Sequence, residues 1–101
     1  MRELNEQILS FGEIQEKHEC ITIAYGSVRV EQNRLYKDVL PTDAIKQTII
    51  MLQEQAKEMG ADGVKNIKIA ITPVTDEKGS NVIDYYSMGT LIILKDRNEK
   101  Y

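Results

Sequence analysis

Ile45, Thr48, Ile49, Leu52, Ala56 and Met59 recur at helical spacing, and on a wheel of 3.6 residues per turn they share a stripe about 100° wide. The stripe predicts one amphipathic helix from Asp43 to Met59, about 25 Å long. Thr42 or Asp43 is placed to cap its start, and Gly60 supplies the left-handed residue that commonly ends a helix. No second stretch of the chain has this period, and the segments around it read differently. Glu19 to Val30 is rich in β-branched residues and predicts a strand, within which Gly26 marks a bulge or a close backbone approach. Val64 to Thr72 alternates Ile67, Ile69 and Ile71 against Lys68 and Ala70, and Pro73 is expected to end that strand. Thr75 to Asn81 carries turn residues, and Val82 to Leu94 predicts a third strand. Leu91 to Leu94 is apolar on both faces, so this last strand belongs in the middle of the sheet.

Strand, helix, strand and strand in this order give an α+β fold. The crossover through the helix makes the first two strands parallel, and the last strand slots between them, antiparallel to both. The expectation is two layers: a three-stranded, mostly antiparallel sheet with one helix on it. Residues 18–94 form the domain, residues 1–17 read as a short helix or strand, and residues 95–101 as a polar tail.

Composition narrows the function classes. Thirteen basic against sixteen acidic residues give a net charge of -3, with no row of Lys and Arg to meet phosphates, so a nucleic-acid partner is not expected. The apolar run Leu91 to Leu94 is too short to cross a bilayer. Cys20 is the only cysteine, which excludes a disulfide within the chain. With no apolar leader at its start, the chain is expected to be cytoplasmic.

The run Ala56-Lys57-Glu58-Met59-Gly60-Ala61-Asp62-Gly63-Val64, followed by Gly89-Thr90 and an apolar strand, resembles the YbjQ-like family over about Ile21 to Leu94. That resemblance implies a dodecin-like subunit of strand, helix, strand and strand, assembled into pentameric rings, in a family labelled heavy-metal-binding. The motif itself reads as a joint: Gly60 turns the chain, Ala61 packs beneath the helix and Val64 starts the returning strand.

Few residues offer chemistry. His18 and Cys20, two apart on a strand, face the same side, where imidazole and thiolate can reach one soft or borderline metal ion. Two ligands are too few for a closed site, so metal binding requires several subunits to pool theirs. The alternative is structural, with Cys20 packed as a small hydrophobe and His18 exposed at the strand end. A Cys-His dyad for nucleophilic catalysis needs a third group that spacing does not reveal, and no enzyme activity is expected. Tyr25, Tyr36, Tyr85 and Tyr86 raise the prospect of an aromatic cofactor held at subunit interfaces, as in dodecins. Tyr85 and Tyr86, being adjacent on a strand, cannot both face it, and packing is the favoured role. Ile21 and Ile23 are expected on the helix side of the first strand, with Cys20, Thr22 and Ala24 opposite. Another subunit is expected to cover the far side of Leu91 to Leu94, making the chain a homo-oligomeric binding or assembly module. Ile50, amid the polar face of the helix, is placed to touch a neighbour.

Overall fold

A computed structural model describes residues 3–34, 37 and 39–95. In chain order the strands and helix are β1 (Ile8–Leu9), β2 (His18–Glu31), α1 (Pro41–Glu58), β3 (Gly63–Thr75) and β4 (Asn81–Leu94). The sheet order is β1-β3-β4-β2. Thus β4 is central and antiparallel to both long neighbours, as the crossover argument requires. Among the described residues the sheet has four strands rather than three, because Ile8 and Leu9 pair in parallel with Gly63 and Val64 at the start of β3. Two residues among charges leave no periodic trace, so the sequence narrows residues 1–17 no further than a short helix or strand. The tail beyond Lys95 and residue Tyr36 lie outside the described residues.

The helix begins two residues earlier than its stripe suggests. Pro41 occupies the first turn, where its missing N–H costs nothing. Neither Thr42 nor Asp43 is the cap residue. Leu40 holds that position, and its N–H donates to Asp43 Oδ2 at 3.4 Å. At the other end Gly60 has φ +70, and Ala61 N–H closes onto Ala56 O at 2.8 Å. Ala44, Thr48, Leu52 and Ala56 point into the core, while Met59 is exposed. Leu52 and Ala56 pack with Ala24, Ala61, Val64, Ile67 and Leu91, and Ala44 packs with Val30 and Tyr85. Gly26 marks a close approach rather than a bulge, since a Cβ there would lie 2.6 Å from Thr48 O and 2.9 Å from Met51 Cβ.

The bulge in β2 falls instead between Cys20 and Ile23, where the pairing with β4 shifts register. A one-residue slip exchanges the faces. Ile21 still packs on the helix-side cluster, but Ala24 joins it too and Ile23 is turned out, 71% exposed. A second shift, between Lys65 and Lys68 in β3, places Asn66 at φ 53, a conformation asparagine tolerates. Pro73 does not end β3. It pairs opposite Ile83 and the strand runs on to Thr75, because β3 is an edge strand at that point and needs no donor there.

The segment before β2 is built into the fold. β1 lies at one edge of the sheet and β2 at the other, so residues 10–17 must cross between them. They do so on the face opposite α1. Ser10 N–H donates to Val64 O at 3.0 Å, Asn66 N–H to Gly12 O at 3.0 Å, and Lys95 N–H to Lys17 O at 3.0 Å. Leu91 packs against the helix cluster, and Ile92 points the other way yet is 0% exposed. The expected subunit cover for Leu91 to Leu94 is therefore supplied within the chain. Asp62 closes the same end. It is buried, and its Oδ2 accepts the Leu94 N–H at 2.7 Å.

Candidate functional site

The crossing segment and β2 bring one polar cluster together. Lys65 is turned to the face away from the helix, and the crossing segment buries it. Its Nζ donates to Glu13 Oε1 at 2.9 Å, and Asn66 Nδ2 donates to Glu13 Oε2 at 3.2 Å. His18 Nδ1 donates to Glu16 O at 2.7 Å, which leaves Nε2 facing Glu13 Oε1 across 3.9 Å. The Lys65 ammonium also interacts with Cys20. His18 and Cys20 thus share a face, opposite Leu94 and Ile92 respectively. The structural alternative fails in both halves, because Cys20 is exposed while the His18 side chain is only 12% exposed.

What the cluster can do is set by Lys65. A resident ammonium on Glu13 compensates the negative charge that a metal ion would take. Among the described residues no three His, Cys, Asp or Glu side chains converge as metal ligands. Lys65 and Asn66 hold Glu13, and His18 spends its Nδ1–H on a carbonyl, so the geometry is that of a clasp on the crossing segment. Hydrogen bonds from Lys65, then Asn66, pull the Glu13 carboxyl from 4.5 down to about 2. The same contact with Glu13 raises Lys65. Because Glu13 titrates lower in the folded state, its contribution to stability is full above about 4.5 and is lost as pH falls from there toward 2. Glu13→Gln should therefore lower the melting temperature at pH 7 and lose most of that deficit only as pH falls to about 2. Thermal melts of both proteins across this range read it, and a pH-independent difference would contradict the clasp.

A second cluster lies farther along the same face. Asp84 is buried and takes two bonds from Arg29, Nε to Oδ1 at 2.7 Å and Nη2 to Oδ2 at 2.9 Å. Arg29 thereby holds the Asp84 carboxyl below its ordinary range, with a smaller part from the Tyr86 hydroxyl, which donates to Oδ2 at 3.1 Å. That bond raises the Tyr86 phenol in turn. The Tyr86 ring meets Tyr25 with centroids 5.9 Å apart at 36°, a tilted pair in direct contact with no third ring between them. Tyr85 points to the helix side and is buried in the core, as strand alternation demands. Sequence reasoning missed Glu13, Lys65, Arg29 and Asp84. All four are ordinary surface residue types whose pairing depends on strand register, although Arg29 and Asp84 stand directly opposite one another once that register is known.

Beside these clusters the face is open and partly apolar. Ile23, Tyr25 and Met88 are exposed there, with Lys68, Ala70 and Thr72 alongside. On the helix side, α1 packs mainly on β2 and β4, and Ile69 and Ile71 of β3 extend beyond its cover, the latter 51% exposed. Among the described residues no helix is long and apolar enough to cross a membrane.

Comparison with known proteins gives a fold relationship. No family model and no curated protein matches the sequence. The structure is similar to the crystal structure of a protein of unknown function from Pediococcus pentosaceus, which belongs to the DUF74 family. The two share 12% sequence identity at a TM-score of 0.75, over 88% of this chain and 98% of that one. DUF74 is the YbjQ-like family, so this chain has the fold of a member of the family its motif resembles.

Proposed function

We propose that this chain is a self-associating module whose subunits cover one another's open sheet, and that it serves binding or assembly rather than catalysis. The observation that carries the reading is the incomplete cover of the β3–β4 hairpin. Ile69 and Ile71 are exposed on one face of it, and Met88, with Ile23 and Tyr25 of β2, on the other. A hairpin bare on both sides is poorly served by a small ligand, whereas neighbouring copies can cover both. The shape agrees. The radius of gyration is 16.1 Å, with extents of 57 × 21 × 20 Å, against about 13 Å for a compact domain of this length.

A ring like the pentamers of the YbjQ-like family is the arrangement this reading favours. Light scattering on the purified protein is the test. Five copies of an 11.6 kDa chain would weigh about 58 kDa, and any closed multimer supports self-association. A mass near 11.6 kDa at micromolar concentration would overturn it.

A further inference from the structure

The sheet ends in two strands with open outer sides, and the chain guards them unevenly. On β2, Tyr25 N–H donates to Gln55 Oε1 at 3.2 Å and Gln55 Nε2 donates to Tyr25 O at 2.7 Å, so a helix side chain occupies that edge as a strand would. On β3, Gly63 and Val64 are paired by β1, and the N–H groups of Asn66 and Ile67 donate to Gly12 and Ser10. Beyond these points, apart from a single bridge made by Val39, neither strand has a further strand beside it among the described residues: Gly26 to Glu31 on β2, and Lys68 to Thr75 on β3.

The Gln55 bonds also fix which backbone groups face outward. Since Tyr25 faces out, alternation turns Ser27, Arg29 and Glu31 outward and leaves Ala24, Gly26, Val28 and Val30 bonded to β4. The β4 partners Ile83, Tyr85, Ser87 and Gly89 are then spent on β2. Val82, Asp84, Tyr86 and Met88 remain to bond Val74, Thr72, Ala70 and Lys68 of β3. Ile69, Ile71, Pro73 and Thr75 therefore face out, which is where a proline without a donor belongs.

The two bare segments also stand at the same height. Ser27 is level through Tyr86 with Ala70, Arg29 through Asp84 with Thr72, and Glu31 through Val82 with Val74. Both strands run antiparallel to β4 and hence in the same direction. A rotation about an axis along the strands preserves height and direction, and so brings one copy's β3 edge to the next copy's β2 edge.

We propose that subunits join by parallel pairing of the β3 segment Lys68–Thr72, which stops short of the donorless Pro73, with the β2 segment Gly26–Glu31 of the next copy, continuing one sheet from chain to chain. This rests on the self-association reading and specifies its contact. A symmetric β3-to-β3 contact fits less well, because it leaves both β2 edges bare.

Disulfide trapping tests it. In a Cys20→Ser background, Ser27→Cys is combined with Ala70→Cys or with Thr72→Cys, positions that are exposed and on one face. Within a chain β4 lies between them, about 9.5 Å from strand to strand and too far for a bridge. Oxidation of at least one pair should give a reducible covalent ladder extending past dimer on a denaturing gel, while each single-cysteine protein stays monomeric there. Light scattering on the same proteins separates the two levels of the argument. A multimer without a ladder from either pair, or a covalent dimer from Ala70→Cys or Thr72→Cys alone, overturns the edge pairing and leaves self-association standing. A mass of one chain overturns both.

Discussion

Gly26→Val should lower the free energy of unfolding by about 3 kcal/mol or more, a large share of the total for a domain of this size. A Cβ at this position would lie 2.6 Å from Thr48 O, a backbone atom in the middle of α1. A flexible side chain could swing aside, but a carbonyl can retreat only if the helix lifts. Lifting α1 there would open the contacts of Leu52 and Ala56 with Ala24. Gly12 is the matching control, because nothing lies within 4 Å of a Cβ built on it. Gly12→Ala should shift stability by no more than about 0.5 kcal/mol. Urea unfolding of the three proteins gives the comparison, and equal midpoints would mean that the helix does not rest on the β2 backbone.

The second large effect concerns mass rather than stability. Ile69→Asp combined with Ile71→Asp should reduce the particle from a multimer to about 11.6 kDa by light scattering. Both side chains are substantially exposed in the single chain, so the subunit should keep its circular dichroism spectrum and unfold within about 0.5 kcal/mol of the parent. Two carboxylates buried between subunits without partners would each cost far more. An unchanged multimer would place the contact elsewhere on the molecule.

The parts of the architecture that were legible were those governed by period. The helix stripe from Ile45 to Ala56, the left-handed Gly60 and the centrality of the Leu91 to Leu94 strand all follow from residue spacing. What escaped depends on contacts between distant segments. Two-residue β1 has no period to detect, and the bulge after Cys20 leaves the local composition unchanged while exchanging Ile23 for Ala24 in the core. The clasp was half legible. His18 and Cys20 stand out as the single histidine and the single cysteine of the sequence, and they do share a face. The group that gives them their surroundings, Lys65 held by Glu13, comes from residues 52 positions apart, and no local pattern joins them. Pro73 misled for the same reason, since its tolerance depends on which side of β3 is unoccupied.

The central place of β4 has a consequence for synthesis. Among the described residues β4 is the one long strand that pairs with β2 and with β3, so during translation both leave the ribosome before the strand that unites them. From Thr75 to Leu94 takes a further 19 residues, or about 1 to 4 s at ordinary elongation rates. For that interval the β-branched segments have no sheet to join. Chaperone demand and aggregation in the cell should accordingly track how fast this one stretch is made and released.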